Sequence, residues 1–337
     1  MINEAEAKGL VAQSGRMLLS EGLAARTWGN VSCRIDENWM VITPSGLSYD
    51  GMTANDIVRL NMSTGQWEGR LKPSSEKGVH TAAYRALNDG EFVLHTHQVY
   101  ASAMGLTGIE VLSFSAAEES ALGGVALADY GLPGTKKLAQ NVAVAFSGGA
   151  HVVLLARHGA VIVGKNHEQA FERARLLEAV CRRACMGQPE DGPSADSPLF
   201  DEELAECLIK SAKDKYGHVA YTSAAPVLAC AESGKTIRAQ LDDMAQMIGP
   251  HLSTVKPDEK GIIDALGRED AVLVPRVGAI CRAFTDEDSA AMCLLAEKAC
   301  ISWLHTQAMG ISKHLSWFDT RLMRAIYLKK YSKMVRG

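Results

Sequence analysis

Phe92-Val93-Leu94-His95-Thr96-His97 is an apolar run that closes on a His-x-His pair. In an extended chain alternate side chains share a face, so His95 and His97 point the same way with Cα atoms roughly 7 Å apart. That spacing suits one divalent metal ion, for which imidazole nitrogens are good ligands. A catalytic zinc takes three or four protein groups and keeps a position open, so further ligands are expected. Downstream, Val152-Val153-Leu154-Leu155-Ala156-Arg157-His158-Gly159-Ala160 reads as a second apolar strand ending in a histidine before a glycine. Upstream, Pro73-Ser74-Ser75-Glu76 opens a helical pattern with a carboxylate in its first turn. The candidate metal ligands are therefore Glu76, His95, His97 and His158. His80, one turn further along the same helix, competes for a ligand position or packs. A histidine beside an apolar strand is also commonly a hydrogen-bonded core residue, so spacing by itself leaves both readings open.

Around these strings the chain alternates short strands and helices. Strands are expected near 30–35, 39–43, 56–60, 91–96, 110–114, 152–156 and 160–163, and helices near 4–20, 75–88, 97–104, 134–146 and 166–186. The close spacing of several strands favours antiparallel pairs over a doubly wound parallel sheet, with helices covering both faces. The expected fold is α/β.

The 337 residues suffice for two domains that each bury a core. A formal net charge of −4 gives no general attraction to polyanions, so nucleic acid is not an expected partner. No apolar run reaches the length of a membrane span, and the N-terminus has neither the basic flank nor the apolar segment of a signal peptide, so no membrane partner and a cytoplasmic location are expected. The eight cysteines are scattered, several of them inside apolar helical patterns, where thiols behave as small hydrophobes. Cys181 and Cys185 are helix neighbours without the second pair or histidine of a zinc site. Lys329 to Arg336 forms a basic tail, most simply a solvated end.

The stretch Gly187 to Pro198 is rich in Pro, Gly, Asp and Ser and marks a boundary between domains at 1–190 and 200–337. Val272-Leu273-Val274-Pro275-Arg276-Val277-Gly278-Ala279 echoes Val153 to Ala160, and Leu295 to Cys300 echoes Leu176 to Cys181 at the same offset of 119. Residues 200–337 therefore read as a smaller, degenerate copy of the first domain. The copy lacks the chemistry. Val277 stands where His158 would be, and Ala220-Tyr221-Thr222-Ser223-Ala224 has no His-x-His.

Gly29-Asn30-Val31-Ser32, Thr43-Pro44-Ser45-Gly46, Ser74-Ser75-Glu76, His95-Thr96-His97, Asp129-Tyr130-Gly131-Leu132-Pro133-Gly134-Thr135 and Arg157-His158-Gly159 occur in one order over residues 29 to 159. Together they resemble the class II aldolase/adducin family, most closely its L-fuculose-1-phosphate aldolases. The resemblance covers about residues 5 to 187. It implies a three-layer α/β/α domain with a mixed, largely antiparallel central sheet. It also implies Zn2+, or another divalent ion such as Mn2+, Fe2+ or Co2+, on His95, His97 and His158, with Glu76 as fourth ligand or general base. It places Gly29, Asn30, Ser45, Gly46, Ser74 and Ser75 around a substrate phosphate, although a helix cap at Ser74 or Ser75 and a turn at Ser45-Gly46 account for the same residues. Tyr130 matches a tyrosine that reaches a neighbouring subunit's site and handles a proton on the aldehyde oxygen, which implies a homo-oligomer with active sites at subunit interfaces. Tyr130 stands in a segment short of apolar side chains, and an exposed edge is expected there. The implied activity is reversible aldol cleavage of a phosphorylated ketose to dihydroxyacetone phosphate and an aldehyde. A pentulose-5-phosphate 4-epimerase or a methylthioribulose-1-phosphate dehydratase would use nearly the same ligands, and an adducin-like binding or assembly module would need none. In the family's small-sugar aldolases a C-terminal tail closes the site, whereas this chain continues into a second domain.

Overall fold

The run Phe92–Thr96 is a central strand whose alternate residues enter two cores, Phe92 and Leu94 on one side and Val93 on the other. The same division holds at Val152/Leu154 against Val153/Leu155, and at Ala160/Ile162 against Val161/Val163. A strand buried on both faces reads as a continuous apolar run, as these do. The computed structural model describes residues 2–186 and 200–334, and the chain divides into two compact units, Met1–Gly187 and Gln188–Gly337. Stretch 187–198, expected as the linker, lies outside the described residues, as do residues 335 and 336 of the basic tail and the final residue 337.

The first unit has strands β1 (Asn30–Arg34), β2 (Trp39–Ile42), β3 (Val58–Asn61), β4 (Trp67–Glu68), β5 (Phe92–Thr96), β6 (Val125–Ala128), β7 (Val152–Leu155) and β8 (Gly159–Gly164). They form one sheet in the order β4-β3-β2-β1-β5-β8-β7-β6, antiparallel throughout except for β6 beside β7. Helices α1 (Glu4–Ser20), α2 (Lys77–Ala86), α3 (Val99–Thr107), α4 (Ala116–Leu122), α5 (Lys136–Phe146) and α6 (His167–Met186) cover it. Val11, Leu18, Met104, Leu122, Phe171 and Leu177 of α1, α3, α4 and α6 pack on one face; Val79, Ala83, Leu138 and Phe146 of α2 and α5 pack on the other. The result is the three-layer α/β/α arrangement. One expected strand is absent: around 110–114 the Leu112 amide bonds to the Ile109 carbonyl, which closes a turn. The strand of that region is β6, which follows Gly123 and Gly124, both with positive φ. The helix expected from 75 begins at Lys77, with Glu76 as its N-cap residue.

The second unit contains α7 (Glu202–Tyr216), β9 (Val219–Thr222), α8 (Ala225–Glu232), β10 (Ile237–Arg238), α9 (Asp242–Met247), β11 (His251–Thr254), α10 (Glu259–Leu266), β12 (Ala271–Val274), β13 (Gly278–Arg282), α11 (Asp286–Ala308) and α12 (Trp317–Met334). Its sheet runs β10-β11-β12-β13-β9, with β11 parallel to β12 and the other pairs antiparallel. The series β11-β12-β13-β9 has the order and directions of β6-β7-β8-β5. Arg157 and Arg276, in the two matching hairpins, both take left-handed backbone at φ 67° and 64°. The unit also buries an ion pair that its sequence did not announce, Lys298 Nζ donating to Asp243 Oδ2 at 2.6 Å with both side chains nearly inaccessible. Removing one partner of such a pair leaves a lone buried charge, at a cost of about 3–5 kcal/mol.

Gly159 begins β8 where a Cβ would stand 2.0 Å from the Thr96 carbonyl oxygen, between His95 and His97. Gly159→Ala is expected to push β8 from β5 and lower unfolding free energy by about 2 kcal/mol, measured by chemical denaturation. Gly148→Ala, at a position where a Cβ meets nothing within 4 Å, should stay within about 0.5 kcal/mol of wild type.

Candidate metal centre

Strand pairing assembles the cluster. Antiparallel register sets His95 opposite Val161 on one side and opposite Asn30 on the other. Immediately before β8, the tight β7–β8 connection carries His158 back toward β5. His97 follows the end of β5, its amide bonded to the Leu23 carbonyl at 2.9 Å, and the Trp28 indole stacks on its ring at 6.3 Å between centroids. Glu76 enters from the start of α2.

Glu76, His95, His97 and His158 form a group whose ligand-capable atoms all lie within 4.8 Å of one another. His95 Nε2 is 3.1 Å from Glu76 Oε2, His158 Nε2 is 3.4 Å from Glu76 Oε1, and His97 Nε2 is 3.2 Å from His95 Nε2. Ligands about 2.05 Å from a tetrahedral zinc stand about 3.3 Å apart, so these separations fit one ion of that size. The group is buried, with His95 wholly inaccessible. His95 Nδ1 donates to the Ala160 carbonyl at 2.9 Å, which fixes the tautomer and leaves its Nε2 lone pair directed inward. Glu76 Oε1 accepts no hydrogen bond. Burial opposes ionisation of Glu76, but the neighbouring imidazoles of His95 and His158 outweigh it and hold the carboxyl well below its usual range. A buried carboxylate among three imidazoles is the donor set a divalent cation requires. Among the described residues it is the one such group of three or more histidine, cysteine, aspartate or glutamate side chains.

His80 stands apart from the cluster. Its Nδ1 meets Ser32 Oγ at 2.7 Å, and its Nε2 is bonded to Asn30 Oδ1. Complete burial pushes its pKa down to about 3, so the ring is neutral. Neither ring nitrogen is available for a metal.

The segments expected around a phosphate come together beside the cluster. Pro44 and Pro73 form an isolated antiparallel bridge, and the Ser45 amide bonds to the Lys72 carbonyl, which sets Ser45-Gly46 next to Ser74-Ser75. Ser74 Oγ accepts from the Glu76 amide at 3.2 Å, closing a turn ahead of the N-cap residue, and its hydroxyl hydrogen remains to donate elsewhere. Gly29 has φ 79°, and a Cβ there would stand 2.6 Å from the His95 carbonyl oxygen, so only glycine fits. Asn30 Nδ2 donates to Glu76 Oε2 at 3.2 Å, so its amide is largely engaged within the site. Gly134 packs against Ser75, which draws the Tyr130 loop to the same region. Tyr130 is half-buried rather than exposed: Asn141 Nδ2 holds the carbonyls of Asp129 and Tyr130 at 2.9 and 3.1 Å, and the Arg157 guanidinium lies 5.5 Å from the Tyr130 ring centroid. Trp28 carried no sequence signal, and Ser32 and Arg157, although they stand in the quoted strings, were given no role there.

A family profile described as the Class II Aldolase and Adducin N-terminal domain matches residues 9–185. A 5-deoxy-D-ribulose 1-phosphate aldolase of Bacillus thuringiensis serovar kurstaki is 36% identical over 181 residues, covering 53% of this chain and 83% of the relative. An L-fuculose phosphate aldolase of Escherichia coli K12 is 33% identical over 190 residues, covering 56% and 86%. A solved L-fuculose 1-phosphate aldolase superposes with a TM-score of 0.51 at 28% identity, over 62% of this chain and 96% of that one. The chain belongs to the class II aldolase/adducin family. Its activity class is that of a lyase.

Protein prepared without chelators is expected to hold about one zinc-like ion per chain by elemental analysis. His97→Ala should lose that ion while its far-UV circular dichroism stays unchanged, because the ring belongs to a local cluster beside the cores rather than in them.

Proposed function

We propose that the chain catalyses reversible aldol cleavage of a ketose 1-phosphate, of the L-fuculose 1-phosphate kind, to dihydroxyacetone phosphate and a short aldehyde. The observation that carries this reading is the convergence of Glu76, His95, His97 and His158 beside a shelf of serines and glycines at the start of α2. The three imidazoles and Glu76 would hold a divalent ion, which supplies Lewis-acid stabilisation where negative charge develops on the ketose oxygens. The phosphate would sit against the amides of Gly29 and Gly46 and the hydroxyls of Ser45, Ser74 and Ser75, near the positive end of α2. With the phosphate anchored, the carbon–carbon bond to be broken is set over the cluster. Glu76 Oε1, which has no hydrogen-bond donor of its own, takes the hydroxyl proton as that bond breaks, and the electron pair remains with the dihydroxyacetone half. The same carboxyl then returns a proton to carbon. Tyr130 from a neighbouring chain would steady the aldehyde oxygen by donating a hydrogen bond to it, while the proton on that oxygen passes to and from Glu76 in the two directions.

The second unit is, in this reading, a partial copy of the first, supported by the matched strand order and the paired hairpin arginines. Tyr221 and Ser223 stand where His95 and His97 do, so two ions per chain would overturn the assignment of the chemistry to the first unit alone.

Incubation with a panel of ketose phosphates should release dihydroxyacetone phosphate, measured by coupled reduction, and chelator should abolish the release. Conversion to an epimer, or loss of water without carbon–carbon cleavage, would replace cleavage with the corresponding reaction of the same fold. No turnover by fully metal-loaded protein would favour a binding module. Mixing inactive His97→Ala and Tyr130→Phe proteins under conditions that exchange subunits should restore part of the activity, because some contacts then pair an intact cluster with an intact tyrosine. Failure after verified exchange would place Tyr130 in its own chain's site or in none.

A further inference from the structure

Behind the metal cluster lies a buried line of polar side chains that coordination itself does not explain: Tyr84, Ser32, His80 and Asn30, each largely or wholly inaccessible. Tyr84 hydroxyl and Ser32 Oγ are 2.8 Å apart, Ser32 Oγ and His80 Nδ1 2.7 Å, His80 Nε2 is bonded to Asn30 Oδ1, and Asn30 Nδ2 lies 3.2 Å from Glu76 Oε2. The line begins at the far end of α2, crosses β1 and returns to the start of α2.

The direction of every bond follows from its last member. Glu76 sits among three imidazoles, and a carboxylate can only accept, so the Asn30 group facing it must be the NH2. Asn30 then presents its carbonyl oxygen to His80, and His80 Nε2 must carry the hydrogen. A fully buried imidazole with no carboxylate against it is neutral, so His80 Nδ1 is an acceptor and Ser32 donates its hydroxyl hydrogen to it. Ser32 Oγ can then accept only from the Tyr84 hydroxyl. No bond in the line can be reversed without setting two acceptors or two hydrogens face to face. The amide of Asn30 also carries no titratable proton, so the line orients and does not conduct.

We propose that His80, through Asn30, is a positioning residue that holds Glu76 Oε2 fixed and so sets the carboxylate's angle toward the metal. This rests on the proposed metal-dependent function of the same site. The purpose is physical. Glu76 stands at the N-cap of α2, outside the helix proper, and a carboxylate that both ligates and moves a proton needs one oxygen tethered so that the other points at substrate. A direct bond from a flexible donor would let the carboxylate wander with it; an amide clamped from behind by a buried ring does not.

The test has two arms. In metal-free wild-type protein labelled with 15N at histidine, the resonance assigned to His80 by its loss in His80→Gln should show the Nε2–H tautomer. The Nδ1–H tautomer would overturn the proposal outright, whatever the enzyme's activity. In the second arm, zinc affinity is measured by competition with a chromophoric chelator, and kcat and KM are measured on the ketose phosphate cleaved. His80→Leu should weaken zinc by about 10–100-fold and lower kcat with little change in KM. His80→Gln, which keeps one acceptor and one donor on neighbouring atoms, should recover most of both. Ser32→Ala, two links from Glu76, should shift zinc affinity in the same direction by less, and it guards against a His80→Leu protein that fails to fold. Unchanged zinc affinity in Ser32→Ala and His80→Leu, or no recovery with His80→Gln, would reduce the line to core packing. A wild-type protein that takes up no zinc would sink the metal reading, while the tautomer measurement would still decide the direction of the line.

Discussion

Everything in the first unit hangs on how closely β5 and β8 approach each other. The hairpin after β7 must bring its backbone against Thr96 with no side chain between, and Gly159 is the residue that permits it. That single close approach serves two ends. It continues the ladder in which β5 and β8 share five registered pairs, and it carries His158 to within ring contact of His95 and His97, at 4.8 Å between centroids in both cases. The Ala160 carbonyl, next along the strand, then fixes the tautomer of His95. The cluster is thus a by-product of sheet pairing: His95 lies within β5, and His97 and His158 stand immediately beside the ends of β5 and β8.

The electrostatics of the cluster reinforce this. Three imidazoles and one carboxylate in a buried cluster form a donor set that could hold a divalent ion, and the surrounding polar groups orient it. His95 is braced by a backbone carbonyl, Glu76 by the Asn30 amide, and the approach to His97 is covered by Trp28. Desolvation of Glu76 would favour its neutral form, yet the neighbouring rings dominate, so the site keeps its anion without bulk water.

Much of this was legible in the chain. The convergence of the three histidines was foreseeable because strand alternation is local: His-x-His at the end of an apolar run fixes a shared face, and His158 before a glycine marks a hairpin. The fold class followed from the spacing of apolar runs. What stayed hidden depends on contacts made far along the chain. His80 reads equally as ligand or packing until β1 places Ser32 and Asn30 on either side of its ring. The strand pattern at 110–114 misled because so short a run cannot distinguish a turn with apolar corners from a strand, and β6 was masked by the two glycines that precede it. Tyr130 looked exposed because its own segment is poor in apolar groups; Arg157 and Asn141, distant in sequence, cover and pin it. The echo between the two halves was visible at one offset only, since upstream of the hairpins Thr222 stands for Thr96 at a different spacing, with a shorter connection between.

That echo gives the two hairpins a further meaning. Arg157 and Arg276 hold the same strained backbone, and Gly159 and Gly278 both press on a threonine carbonyl, Thr96 in one unit and Thr222 in the other. Only one hairpin has a histidine between them; the other has valine. The chain therefore carries its own two-row comparison, in which features present in both rows answer to the geometry of the bend and features present in one answer to reactivity. By that criterion the twisted arginine answers to the bend, even though it stands beside the candidate cluster, and His158 is what the first hairpin alone supplies. A remodelled catalyst built on this scaffold could exchange the histidine freely, but not the bend that presents it.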